Sequence, residues 1–253
     1  MAFLLDIYIV DVILIIQIGA TMRFNLFGKK RVEDDVDDEG TETEEQDKKE
    51  SGPTKAMISL ALPEEDPEIR TIGLYGEVEE KKVSEIIGAL IALAATAEVE
   101  EPIDPDKPEE GTKTVIDPIE FLISTPGGSA DDMLSLYDMM RVIREKCPIH
   151  TFGIGKVMSA GVLILAAGTK GKRRIGKNCR VMIHSVAGGN VGSFHNLENE
   201  MEEIRHIQRT YIKLLAAETK MTEAQLKKMI NKKINVYLSA EEAVELGIAD
   251  EVF

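Results

Sequence analysis

One serine and one histidine stand in sequence settings that suit nucleophilic catalysis. Ser159 lies in a small-residue turn, GKVMSAG at residues 155–161, ahead of an apolar run, so we expect it at the start of a helix. Further along the chain, the β-type run RVMI at residues 180–183 ends in His184. A serine hydroxyl becomes an effective nucleophile when a histidine accepts its proton. The pair therefore predicts a serine nucleophile with its general base.

A glycine turn upstream could stabilise the negative charge that such a reaction develops. The segment ISTPGG at residues 123–128 predicts a strand and then a turn, whose backbone N–H groups could face an oxyanion. Each segment by itself has a simpler interpretation: Ser159 as a helix N-cap, His184 as a structural histidine, and the glycines as an ordinary turn. Three other histidines compete for the role of base: His150, His195 and His206.

Alternating strands and helices indicate an α/β domain that would position these groups. Predicted strands cover residues 71–76, 119–124, 149–154 and 180–184. Predicted helices cover residues 83–97, 131–144, 159–167 and 194–220, with two more beginning at Thr222 and at a Ser239 capping box that Gly247 ends. In the helix of residues 131–144 we expect Leu134, Met139 and Val142 in the core. Residues 98–118 are rich in Pro, Asp, Glu and Gly and predict a long loop or flap.

The helix predicted over residues 194–220 is amphipathic and the longest of the chain. Its apolar stripe comprises Leu197, Met201, Ile204 and Ile207. Such a stripe needs a partner surface, which favours an oligomer. His195 and His206 fall on this helix, so we expect them at the surface or at an interface rather than at the reactive serine.

Composition excludes some functions and divides the chain. A net charge of −15 argues against a general nucleic-acid-binding surface, and 43% hydrophobic residues are enough for a core. Cys147 and Cys179 lie in apolar stretches and predict two buried thiols in a reducing compartment, the cytoplasm. Residues 1–56 predict an apolar leader and an acidic disordered tail, and residues 57–253 the folded domain. Two interpretations of the leader remain: a start codon that was assigned too early, or a membrane or signal segment. We prefer the first.

Six segments occur in an order that resembles a known family. They are STPGG (124–128), YDMM (137–140), GKVMSAG (155–161), AGTKGKR (167–173), RVMIH (180–184) and YLSAEEA (237–243). In this order they resemble the proteolytic subunit of the Clp protease, ClpP. The resemblance implies a crotonase-like α/β spiral fold with a protruding handle helix, here the helix that begins at Phe194. It also implies serine endopeptidase activity without a metal or an organic cofactor, in a bacterial or phage-infected cell.

The resemblance also assigns roles to individual residues. Ser159 would be the nucleophile and His184 the base, while the N–H groups of Gly128 and Ala160 would form the oxyanion hole. Gly127, with the glycine-rich stretch Gly188-Gly189, would lie along the substrate. The resemblance further implies stacked heptameric rings that act on protein or peptide substrates, with a possible hexameric AAA+ ATPase partner.

Three departures from the family pattern keep alternatives open. Asn235 stands at the position of the family's catalytic acid; an asparagine can orient the histidine ring but cannot stabilise an imidazolium by charge. Ala160 replaces a methionine beside the serine, which would reshape the pocket, and typical members lack the acidic flap at residues 102–118. The alternatives are a non-catalytic barrel subunit, a viral capsid-maturation protease and an acyl-CoA hydratase or isomerase on the same fold.

Overall fold

A seven-stranded, largely parallel sheet organises the described part of the chain. The computed structural model describes residues 69–189, 191–232 and 235–253. The leader, the acidic tail and the expected beginning of order near Met57 fall outside these residues. Residues 69–253 form one unit of contacts, and the predicted α/β class is confirmed.

Strands and helices alternate through most of this unit. In chain order the elements are β1 (Thr71–Tyr75), α1 (Glu80–Ala95), β2 (Glu98–Pro102), a 3₁₀ turn (Pro108–Glu110), β3 (Thr112–Ile116), β4 (Ile119–Thr125), α2 (Ala130–Ile143), β5 (Ile149–Met158), α3 (Ala160–Ala166), β6 (Arg173–Ile175), β7 (Arg180–Ile183), α4 (Phe194–Glu218), α5 (Glu223–Ile230), β8 (Val236–Leu238), α6 (Ala240–Glu245) and β9 (Glu251–Val252). Within the described ranges, no helix is both long and apolar enough to span a bilayer.

Strand β5 bends, so that its two halves pair with different neighbouring strands. The main sheet runs β1-β4-β5-β6-β9, and β7 with β8 branches from β5. The first half of β5 pairs with β6 and the second half, from Lys156 to Met158, pairs with β7 in parallel. The change of register comes between the pairs Ile123↔Gly153 and Thr125↔Val157. Gly155, with a φ of +64°, supplies the left-handed backbone that this bulge requires.

The core lies between the sheet and its helices. All seven residues of α3 are buried, because the segment AGVLILA is apolar on every side. The three positions predicted for the core of α2, Leu134, Met139 and Val142, are half-buried, and Leu134 and Met139 pack against the core. The buried stripe of α2 is offset around the helix and comprises Met133, Leu136, Tyr137, Met140 and Ile143. Cys147 and Cys179 are buried free thiols, as predicted.

The segment predicted as a loop over residues 98–118 contains a β-hairpin. Strands β2 and β3 pair in antiparallel fashion from Glu98↔Ile116 to Pro102↔Thr112, in a sheet separate from the main one. In β3, the β-branched residues Thr112, Thr114 and Ile116 stand at every second position, which favours a strand. The surrounding Pro, Asp and Glu residues are typical of a loop, and for that reason the sequence did not predict this strand.

Two partly buried ion pairs connect distant elements at the C-terminal end of α3. Asp250 accepts hydrogen bonds from the Arg173 guanidinium at 2.6 and 2.8 Å, and from the N–H groups of Gly171 and Arg173. Glu218, near the end of α4, accepts from Arg144 at 2.7 and 3.1 Å and from the hydroxyl of Tyr137 at 2.9 Å. These contacts hold the C-terminal end of α4 and the last strand against the core.

Candidate active site

Ser159 occupies a strained turn between β5 and α3. Its φ of +54° makes it the one non-glycine residue with positive φ among those described, and its ψ is −121°. Its side chain makes no capping hydrogen bond to α3, so the hydroxyl is not used as an ordinary N-cap. Residues held in sparsely populated backbone regions cost about 1–3 kcal/mol and persist where the surroundings over-determine them. The turn therefore projects the hydroxyl away from its own helix.

The parallel pairing of β5 with β7 brings His184 to this hydroxyl. Met158 pairs with Met182, and the N–H of Ser159 continues the ladder by donating to Met182 O at 2.8 Å. Two residues beyond Met182, the chain presents His184, whose Nε2 lies 2.7 Å from Ser159 Oγ. That distance is within the range for proton transfer from a nucleophile to a base.

The glycine turn lies against the serine. Thr125 Oγ1 accepts from the N–H of Gly127 at 3.0 Å, and Gly127 O accepts from the N–H of Val78 at 2.9 Å. The N–H of Ser129 donates to Val78 O at 2.9 Å. Because the residues on both sides of Gly128 bond Val78, the N–H of Gly128 points away from Val78. Gly127 has a φ of +100° and leaves no room for a side chain beside Ser159.

Two backbone N–H groups near Ser159 remain available to a ligand. Gly128 is one of them, and Ala160, as the first residue of α3, is the other. No described residue accepts a hydrogen bond from either N–H. Such groups can stabilise an oxyanion if they converge on it.

These groups line one cleft of about 340 Å³. Its walls come from four parts of the fold: Pro126, Gly128, Ser129, Ala130 and Met133; Ser159 and Ala160; His184, Ser185, Val186 and Ala187; and Ile207 and Tyr211 of α4. Gly188 and Gly189 follow this lining but are not part of it. A Cβ on Gly188 would lie 3.1 Å from Ile204 Cδ1, so this stretch runs beside α4.

Asn235 lies next to the histidine strand. Strand β8 pairs with β7 in antiparallel fashion, and the ladder ends at the pair Ile183↔Val236. His184 follows Ile183 and Asn235 precedes Val236, so both come directly after this last pair. The Asn235 side chain is exposed and forms no hydrogen bond to His184, and the His184 ring has no partner besides Ser159 among the described residues.

Other titratable side chains, including the competing histidines, lie elsewhere. Asp250 is engaged by Arg173, and although burial acts to raise its pKa, the hydrogen bonds and charge of Arg173 hold it below the usual range. His150 is in the first half of β5, where burial and the charge of Lys172 lower its pKa. His195 is exposed on α4 with Nδ1 3.6 Å from Glu198. None of the competing histidines lines the cleft.

Sequence reasoning missed the contribution of Tyr211. The hydroxyl of this buried α4 residue donates to Ser159 O at 3.2 Å. The apolar stripe of α4 continues from Ile207 to Tyr211 at a spacing of four residues. That spacing could have indicated a buried tyrosine, but not the residue that its hydroxyl would contact.

Among the described residues, no cluster of three His, Cys, Asp or Glu side chains could hold a metal ion. The chemistry that the arrangement supports is nucleophilic: a hydroxyl with a base within hydrogen-bonding distance, and two unpaired N–H groups nearby.

Comparison with known proteins gives a consistent match. A sequence model of the Clp protease family matches residues 111–253. ATP-dependent Clp protease proteolytic subunit 2 of Corynebacterium jeikeium is 34% identical over 187 residues, which cover 74% of this chain and 79% of that protein. Proteolytic subunit 1 of Corynebacterium glutamicum is also 34% identical, over 74% of this chain and 80% of the relative. Proteolytic subunit 2 of Gluconobacter oxydans is 27% identical over 92% of this chain and 94% of its own length.

Proposed function

Because the chain belongs to the Clp protease family and is a serine endopeptidase of the ClpP type, we propose that Ser159 is its nucleophile and His184 its general base. The observation that carries this assignment is the 2.7 Å approach of His184 Nε2 to the hydroxyl of a strained, uncapped Ser159. The proposed peptidase domain spans residues 57–253.

Peptide hydrolysis at this site proceeds in two steps. His184 Nε2 takes the proton of Ser159 Oγ as the oxygen attacks the scissile carbonyl carbon. The tetrahedral oxyanion accepts hydrogen bonds from the N–H groups of Gly128 and Ala160. His184 then gives its proton to the departing amine, which leaves an acyl-enzyme on Ser159. A water molecule then attacks the ester carbonyl while His184 takes its proton. The bond from Ser159 Oγ to the acyl carbon breaks, His184 returns the proton to Ser159 Oγ, and the second product leaves with the new carboxylate.

Asn235 is the proposed third member of the site. Its position directly after the Ile183↔Val236 pair, on the strand beside His184, supports this role, since an amide oxygen can accept a hydrogen bond from the Nδ1–H of the imidazole and orient the ring. Gly127, Gly188 and Gly189 are proposed to lie along the bound peptide, with the cleft between Met133 and Tyr211 receiving a side chain of the substrate.

The proposed assembly is a homo-oligomer of stacked heptameric rings that encloses the cleft and degrades proteins or peptides in the cytoplasm. In the described chain, Phe194, Leu197 and Met201 of α4 are large hydrophobic residues exposed to solvent. An unpartnered apolar stripe of this kind supports a helix-mediated contact with a second subunit. The relatives are named ATP-dependent, which supports a hexameric AAA+ ATPase as the partner that supplies substrates.

The assignment is tested with a fluorophosphonate probe, which labels activated serines, and with a fluorogenic peptide. The wild-type chain should be labelled on Ser159 and should cleave the peptide, and Ser159→Ala should lose both activities. Ser84→Ala is the matched control, because Ser84 is exposed on α1 and its hydroxyl donates to Lys81 O, outside the cleft. An assembled wild-type chain without labelling would instead identify a non-catalytic barrel subunit. Turnover of a crotonyl thioester without peptidase activity would indicate a hydratase.

A further inference from the structure

The long helix α4 reaches the nucleophile turn through a single hydroxyl. Tyr211 is buried, and its hydroxyl donates to the carbonyl oxygen of Ser159 at 3.2 Å across 52 residues of sequence. We propose that Tyr211 is a positioning residue that orients the Ser159–Ala160 peptide, so that the Ala160 N–H faces the oxyanion. This inference rests on the proposed function, because it requires Ser159 to be the nucleophile.

One peptide unit connects the Tyr211 hydroxyl to the proposed oxyanion hole. The C=O of Ser159 and the N–H of Ala160 belong to the same planar group, and no described peptide is cis. In a trans peptide these two bonds point in opposite directions. A donor that holds the carbonyl on the α4 side therefore fixes the direction of the N–H on the other side. Tyr211 does not contact the oxyanion itself and acts through this peptide.

The turn needs such an external support. Ser159 has a φ of +54°, which is unfavourable for a residue with a Cβ. Its N–H is held by Met182 O at 2.8 Å, and its carbonyl also accepts from the N–H of Val162 at 3.1 Å, within the first turn of α3. A carbonyl oxygen has two lone pairs, so Tyr211 supplies the second partner. That partner comes from a different element and resists rotation of the peptide.

The Tyr211 hydroxyl is well suited to be a fixed donor. Burial raises its pKa far above the usual range, so the group stays protonated wherever the peptidase would operate. The hydroxyl has one hydrogen bond among the described residues, to Ser159 O. A donor to the carbonyl also polarises the peptide, which strengthens the opposite N–H as a donor.

Tyr211→Phe tests the proposal because it removes the hydroxyl and keeps the ring. We expect kcat for a fluorogenic peptide to fall by about 10-fold, less than the about 10²–10³ lost when an oxyanion donor is deleted. KM should stay within about 2-fold of wild type, because the contact acts mainly in the transition state. A peptide boronate, whose tetrahedral adduct places an oxygen in the oxyanion hole, should lose affinity by the same factor as kcat.

Tyr137→Phe is the matched control. It also removes a buried tyrosine hydroxyl, but that hydroxyl donates a hydrogen bond to Glu218, and neither residue lines the cleft. Its thermal stability should fall, while kcat and boronate affinity per folded molecule should stay at wild-type values. Tyr211→Met serves as a second variant, since its flexible side chain fills the space without a hydroxyl; it should show the same selective loss.

Two results would overturn the inference. One is wild-type kcat and boronate affinity in Tyr211→Phe while Ser159 remains labelled by the fluorophosphonate, which rejects the positioning role and leaves the proposed function standing. The other is a fold-loss of boronate affinity in Tyr211→Phe that is no larger than the fold-increase of KM. Tyr211 would then be a packing residue only. If wild-type Ser159 is not labelled at all, both proposals fail together.

Discussion

The Cα of Gly127 lies directly against the side chain of Ser159. A Cβ built on Gly127 would be 2.5 Å from Ser159 Cβ and 3.1 Å from Ser159 Oγ. The glycine turn and the nucleophile turn are therefore packed so closely that only a hydrogen atom fits between them. Gly127 also has a φ of +100°, which L side chains rarely adopt.

Gly127→Ala should inactivate the enzyme without unfolding it. The added methyl group would displace the Ser159 side chain from His184, and a shift of about 1 Å at a reacting group can cost about 10²-fold in rate. Peptidase assays and fluorophosphonate labelling would measure the loss. Gly88→Ala is the control, because a Cβ there meets nothing within 4 Å inside α1. Near wild-type activity of Gly127→Ala would show that the two turns can separate without consequence.

Asn235→Asp should leave activity unchanged or raise it. A carboxylate beside His184 would stabilise the imidazolium that forms as Ser159 loses its proton. Asn231→Asp is the control, since Asn231 is exposed at the end of α5. A large loss of activity would mean that the Asn235 amide has a different role, such as donating a hydrogen bond.

Asp250→Asn should cost stability rather than catalysis. Removing the charge of Asp250 leaves the buried Arg173 guanidinium without its bidentate partner, which costs about 3 kcal/mol of unfolding free energy. Chemical denaturation would measure this loss. Glu251→Gln, which breaks the exposed pair with Arg174, should cost less than about 1 kcal/mol. If Asp250→Asn lost peptidase activity per folded molecule, Asp250 would belong to the catalytic machinery.

Acid should destabilise the fold partly through Glu218. Burial acts to raise the pKa of Glu218, but the hydrogen bonds and charge of Arg144, with the Tyr137 hydroxyl, outweigh it and hold the pKa below its usual range. A carboxyl with a lowered folded-state pKa stabilises the protein above its unfolded pKa of about 4.3, and this contribution is lost as pH falls through the folded-state pKa.

The unfolding free energy should therefore fall more steeply in acid for wild type than for Glu218→Gln. Denaturation at neutral pH and at several values below about pH 5 would give the two slopes. Glu80→Gln, at an exposed position of α1, should keep the wild-type slope. Parallel slopes for wild type and Glu218→Gln would exclude Glu218 as a source of acid sensitivity.

Elements with strong local patterns were predicted well, and short elements were not. The helices expected from Thr222 and Ser239 are present, the capping box predicted at Ser239 is confirmed, and Thr222 forms a second one. Strands β6, β8 and β9 have two or three residues each, which is too short for a periodic pattern, so the sequence did not reveal them. The hairpin of β2 and β3 was predicted as a loop, because its acidic and proline-rich composition resembles that of a loop.

By itself, the sequence determined the α/β class, the candidate nucleophile and the candidate base, because small-residue turns and apolar runs act over a few neighbouring residues. Only the tertiary structure decided how these residues meet. The bend at Gly155, the pairing of β5 with β7 and the packing of Gly127 on Ser159 bring the reactive groups together. The hydrogen bond from Tyr211 to Ser159 joins residues 52 positions apart. Such contacts depend on how whole elements pack, and no local pattern of residue types encodes them.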